Sequence, residues 1–315
     1  MEHESVDCTS CNSRRHHQIG LVEAFGVRLC DDCGLVFVSP RPTAEATDAI
    51  YGDSYFDGTS THGNQSERGG YQGNIPGRKA RARLLVDWIR SLSGIQNGRW
   101  LDIGCGPGYL VEAAGLAGFT ASGVDVSESA VRIGREELGL DLHCAPAESL
   151  TASVQAPFGV ISMVDTLFHL RQPGSVLTQA IELLQPGGLL FAGPFDLSDS
   201  PNGPPPMATG SDFSSLGIPE HLSFVNQQSM QFLLEKLNMS EIRFLPLPLT
   251  PGDVANNKFR IAPKSLLKLL RALLRKMPGV QRAVHKAAAR SVNTRAGYVL
   301  AIRPSETGNL PSDPG

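Results

Sequence analysis

The chain has 315 residues, 41% of them hydrophobic, enough for one large domain or two unequal ones. Net charge is only −3, but it is unevenly spread: residues 1–255 hold 16 Lys/Arg against 29 Asp/Glu, whereas residues 256–303 hold twelve Lys/Arg and no acid, an asymmetry that points to an anionic partner. No run of 18 apolar residues occurs, which excludes a transmembrane helix, and the polar start Met1-Glu2-His3-Glu4 lacks the regions of a signal peptide, so a cytoplasmic protein is expected.

Cys8-x2-Cys11 and Cys30-x2-Cys33 stand 18 residues apart, the spacing of a closed four-thiolate zinc site. Such pairs fit metal binding in a reducing compartment better than disulfides. Short apolar runs at 18–22, 25–29 and 35–38 complete a small zinc ribbon over residues 1–42, with each CxxC at a tight turn. Cys105 and Cys144 read as core or turn residues, and His16 and His17 as loop residues. A short helix capped by Thr43 and a Gly/Ser/Asn/Gln-rich stretch follow; residues 43–77 are expected to be a linker and lid.

From residue 78 strands and helices alternate. Helices are predicted over 78–93, 109–117, 128–138, 175–184 and 227–237. Strands are predicted over 100–103, 120–124, 141–144, 158–164, 189–192, 241–247 and 298–302. This pattern gives an α/β fold, a parallel sheet with helices on both faces, over residues 78–303. The Pro-rich segment 194–220 reads as a loop over the site, and 304–315 as a disordered tail. Two helices over 262–290 break at Pro278-Gly279. In the first, Lys264, Lys268, Arg271 and Arg275 share one face and six leucines the other, so residues 258–290 would contact an anionic membrane peripherally, contact a phosphorylated or lipid-linked substrate, or face solvent.

The segment Asp102-x-Gly104-Cys105-Gly106-x-Gly108 lies between a strand and a helix, and Asp125 ends the next strand seventeen residues after Gly108. Glycines there let a ligand approach the backbone, and a carboxylate at Asp125 can accept both hydroxyls of a ribose. A dinucleotide site and an ordinary tight turn are the competing readings.

These residues resemble the first motif and ribose-binding acid of class I S-adenosylmethionine-dependent methyltransferases, and residues 164–170 and 184–190 resemble segments that family places around its fourth and fifth strands. The resemblance implies a Rossmann-like methyltransferase sheet with S-adenosylmethionine held by Asp102, Gly104, Cys105, Gly106, Gly108, Asp125, Val126, Ala147 and Asp165. The chain departs from the family at Pro146, where an Asp is common, and at Phe168, where many relatives carry Glu. The ribbon, with Cys30 to Pro42 and Pro219 to Phe224, is similar to a narrower group acting in sugar, polysaccharide or natural-product pathways. There the resemblance implies acid–base roles for Glu220 and His221. His169 reads as structural or cofactor-adjacent.

The expected activity is methyl transfer to a small molecule, a sugar, nucleotide-sugar or glycan intermediate. An RNA methyltransferase using the ribbon for recognition is the alternative, but residues 1–40 carry three Arg against six Asp/Glu, so nucleic acid is not the expected partner. A non-catalytic binding protein that retains the cofactor fold is the second alternative.

Overall fold

The two cysteine pairs sit at the turns of a ribbon whose sheet is completed from elsewhere in the chain. The computed structural model describes residues 2–50, 74–196, 216–246 and 296–305. The basic segment 258–290, most of the proposed lid and most of the Pro-rich loop lie outside the described residues.

At the N-terminal end lie β1 (His3–Glu4), β2 (His16–Val22), β3 (Phe25–Cys30), β4 (Val36–Val38) and β5 (Arg41–Pro42), followed by α1 (Ala44–Ile50). Thr43 caps α1, its Oγ1 accepting from the N–H of Ala46 at 3.4 Å. β2, β3 and β4 pair antiparallel, and β11 (Ser223–Phe224) adds a fourth strand on β4. Alternation along these strands buries Phe25, Val27, Val36 and Val38 against Leu216 and Phe224, which come from the far side of the sequence.

The main sheet holds β6 (Gly98–Ile103), β7 (Phe119–Asp125), β8 (Asp141–Cys144), β9 (Phe158–Val164), β10 (Leu184–Asp196), β12 (Ser240–Pro246) and β13 (Ala296–Ile302). Their spatial order is β12-β13-β10-β9-β6-β7-β8. β6 to β10 run parallel, and β13 lies antiparallel between β10 and β12. β6 has β7 on one side and β9 on the other, so the strand order reverses there and opens a crevice at the carboxyl ends. β10 is longer than the predicted 189–192 because Pro186-Gly187-Gly188 is absorbed as a register shift, and because Phe195 and Asp196 stay paired to β13 beyond a second shift.

Helices α2 (Ile75–Ser93) and α3 (Tyr109–Leu116) cover one face, burying Leu85, Val86 and Ile89 against Trp100 and Phe191. On the other face α6 (Pro173–Leu183) and α7 (Gln227–Lys236) bury Leu177, Leu233 and Leu234 against Ile103 and Ile161. Each such side chain contributes about 1.5–3 kcal/mol of hydrophobic stabilisation. Helices α4 (Glu128–Leu138) and α5 (Leu150–Ser153) complete the set.

The ribbon is bonded to this domain. The N–H of Gly174 donates to Thr9 O at 3.3 Å, and the Asn226 amide donates to Gly34 O at 2.8 Å. A Cβ at Gly174 would stand 2.0 Å from Ser10 O. Gly174→Ala gains helix propensity but must push the ribbon off α6. The expected net loss is about 1–3 kcal/mol, measured by thermal denaturation; an unchanged or raised Tm would contradict this docking.

Candidate active site

The glycine loop lies at the crevice and enters α3. Gly104 has φ +73, and a Cβ there would meet Thr166 Oγ1 at 2.4 Å, so backbone conformation and the close approach of the next loop both require glycine. The Cys105 side chain turns away to pack with Val111, Val131 and Leu142, leaving its backbone to the loop. Cys144 stands exposed at the end of β8.

Asp125 closes the loop at the end of β7. Its Oδ2 accepts from the N–H of Gly106 at 2.7 Å and its Oδ1 from the N–H of Ser127 at 2.9 Å. One lone pair on each oxygen is thereby committed, and the carboxylate is fixed in orientation beside the cleft it lines. Burial raises its pKa above the ordinary value of 3.8. Val126 is 52% exposed, an apolar side chain presented to the same cleft. Ala147 opens a 3-10 turn (Ala147–Ser149) after Pro146, and at that position its N–H has no acceptor within the turn.

Asp102 is buried and accepts from Ser162 Oγ at 2.6 Å, and Ser162 Oγ accepts from Trp100 Nε1 at 2.8 Å. Desolvation pushes Asp102 up to about 7. Asp165 follows β9 in the left-handed region, φ +58, which Asp tolerates better than most residues. Its carboxylate is held by Arg81 of α2 in a two-pronged ion pair, and Arg81 Nη2 also donates to Tyr298 Oη at 2.8 Å. The predicted cofactor residue thus has its carboxylate engaged within the protein.

His221 and His169 come together with Phe168, which sequence spacing did not reveal. Their ring centroids lie 5.0 Å apart, and Phe168 is 4.5 Å from His221 and 4.4 Å from His169. His221 Nδ1 pairs with Leu216 O at 2.7 Å and His169 Nδ1 with Glu220 O at 3.3 Å. Carbonyl oxygens only accept, so each Nδ1 carries the proton and each Nε2 is the basic nitrogen of a neutral ring. Burial pushes His169 down to about 3, with His221 adding to the shift, and burial also lowers His221 from 6.5. Glu220 lines the cleft beside them.

One cleft of about 1610 Å³ contains the loop, Asp125, Asp165 and both histidines, and the ribbon supplies Glu4 and Arg41 to its wall. Single-ligand pockets run to about 300–1,000 Å³, so there is room for a donor and an acceptor. The donor set fits S-adenosylmethionine. Asp125 retains lone pairs for ribose hydroxyls, and Val126 offers an apolar face for a base.

Separately, the Sγ atoms of Cys8, Cys11, Cys30 and Cys33 all lie within 4.8 Å of one another. The pairs Cys8–Cys33 and Cys11–Cys30 are 3.5 and 3.6 Å apart, too long for disulfides and close to the ~3.8 Å edge of a tetrahedral zinc–thiolate site. Burial pushes the Cys11 thiol up to about 12, whereas a hydrogen bond from Cys33 holds Cys8 down to about 5; four thiolates together would need a cation to balance them.

A family model described as "Methyltransferase domain" matches residues 78–240, more than half of the chain, and the chain belongs to that family, with the class I S-adenosylmethionine-dependent fold. Ubiquinone biosynthesis O-methyltransferases of Aromatoleum aromaticum and Thiobacillus denitrificans are 35% and 33% identical over 113 residues, each covering 34% of this chain. Those stretches are 48% and 49% of the relatives, so the chain spans about half the length of the curated relatives it matches. Phosphoethanolamine N-methyltransferase 2 of Haemonchus contortus, solved with S-adenosyl-L-methionine, is similar in fold: TM-score 0.51 and 16% identity over 85% of this chain and 62% of that one.

Proposed function

We propose that the protein transfers the methyl group of S-adenosylmethionine to a small-molecule acceptor, with His221 Nε2 taking the acceptor's proton. The observation that carries this reading is the shared cleft, in which the Gly104–Gly108 loop and Asp125 stand with a neutral histidine pair. When bound, S-adenosylmethionine supplies a methyl group activated by its sulfonium. The chain's own residues bind, orient and move the proton. The loop backbone and Asp125 hold the donor, and Val126 and the Ala147 N–H receive its base. Holding donor and acceptor in line supplies most of the rate. The curated relatives are named O-methyltransferases, which favours an oxygen acceptor. The finer reading, a sugar, nucleotide-sugar or glycan intermediate, is supported by the ribbon together with Glu220 and His221. Four buried or half-buried thiols at tetrahedral spacing support a structural zinc held by Cys8, Cys11, Cys30 and Cys33.

Mass spectrometry of cell extract incubated with the protein and methyl-labelled S-adenosylmethionine tests the reading and identifies the acceptor class. Label appearing only in RNA would favour the alternative substrate, and no labelled product despite cofactor binding would favour a non-catalytic protein. His221→Gln is expected to leave S-adenosylhomocysteine affinity unchanged and lower turnover by about 10²-fold or more. Because burial lowers the His221 pKa, its base form persists below pH 6.5. Turnover is therefore expected to be level as pH falls to about 6.5 and to decline only below that value; a midpoint above 6.5 would exclude a buried His221 as the base.

A further inference from the structure

Two guanidiniums converge on one carboxylate oxygen where the ribbon closes on the cleft. Glu4 Oε1 accepts from Arg41 Nε at 2.9 Å and from Arg171 Nη2. Arg171 Nη1 is saturated by Pro42 O, Thr43 O and Thr47 Oγ1 at 3.0, 3.2 and 2.6 Å. Arg41 Nη1 donates to Arg171 O at 2.5 Å. Arg41 Nη2 has no acceptor among the described residues. Yet the Arg41 side chain is only 4% exposed, and what remains open lines the cleft, as does Arg171. A buried and a half-buried cation thus share one anion, with Glu148 adding the least to the balance. Desolvation and the Arg171 charge lower the Arg41 pKa, the mark of an under-compensated cation. The open Arg41 Nη2 is suited to donate a charge-assisted hydrogen bond to an oxygen of a carboxylate or phosphate.

We propose that Arg41 and Arg171 form an oxyanion subsite of the cleft that takes a carboxylate or phosphate group of the methyl acceptor. The word acceptor rests on the methyltransferase reading above; the anion rests on the geometry alone. The site joins the ribbon to the loop that carries His169, so the ribbon recognises substrate as well as supporting the fold.

The test is ligand-observed saturation-transfer NMR on the full chain with S-adenosylhomocysteine, using phenyl phosphate, benzoate and phenol. Binding of phenyl phosphate or benzoate at least fivefold tighter than phenol is expected, and the preferred anion tells phosphate from carboxylate. Arg41→Gln should weaken the anion at least fivefold with S-adenosylhomocysteine affinity unchanged. Glu4→Gln removes the competing charge and should tighten the anion severalfold, whereas a purely structural clasp predicts no gain. That variant decides the matter if Arg41→Gln does not fold. Equal binding of phenol, no anion binding, or an unchanged or weakened anion in Glu4→Gln overturns the proposal. Failure of the wild-type chain to bind S-adenosylhomocysteine would overturn the methyltransferase reading instead and leave the anion measurement standing.

Discussion

Asp125→Ala is expected to weaken S-adenosylhomocysteine binding by about 1.5–3 kcal/mol, roughly ten- to 150-fold, read by isothermal titration. The lower figure follows if only ligand hydrogen bonds are lost. The variant also strips acceptors from the N–H groups of Gly106 and Ser127, so the loop loses the bonds that fix its shape. Asp125→Asn keeps one carbonyl oxygen and should fall between the two. Because burial raises the Asp125 pKa, the acid limb of the wild-type binding curve should lie above pH 3.8, affinity falling as the carboxylate protonates. Affinity for S-adenosylhomocysteine unchanged in Asp125→Ala would remove Asp125 from the donor site, and tight NAD binding in its place would overturn the methyltransferase reading.

If the four thiols hold zinc as proposed, its removal should have the larger effect on structure. Metal analysis is expected to give one zinc per chain. Cys30→Ser, or a strong chelator, should lower that content and unfold the ribbon. Binding to four thiolates is worth about 10–16 kcal/mol in comparable modules and is inseparable from their folding. Cys11 is the one half-buried thiol of the four, so it would offer the route by which a chelator enters. Amide exchange over residues 16–38 follows the event; a metal-free chain with those amides still protected would sink the zinc assignment.

Signals confined to neighbouring residues were legible in the sequence. The helical period over 78–93, the Thr43 cap, the glycine loop and the CxxC pairs each depend on a few consecutive positions, and the structure places them at elements close to those expected. The strand alternation gave the parallel sheet for the same reason. Contacts between distant positions were not legible. Arg81 meets Asp165 across 84 residues and Arg41 meets Arg171 across 130, and no linear pattern encodes such a pairing. His169 looked unremarkable in sequence because its significance lies in the second ring beside it. The strand Ser223–Phe224 was missed because two residues carry no period, and it exists only because β4 presents an unpaired edge.

That borrowed strand sets a clock on synthesis. Gly34 is bonded to Asn226 across 192 residues, so the ribbon leaves the ribosome long before its last strand exists. At about 5–20 residues per second the delay is roughly 10–40 s. Through that interval Phe25, Val27, Val36 and Val38 have no lid from Leu216 and Phe224, and the edge of β4 is open to other chains. Early metal capture would hold the knuckles in register while the apolar face waits. If the cluster takes zinc, cells starved of the metal are therefore expected to lose this protein to aggregation during translation.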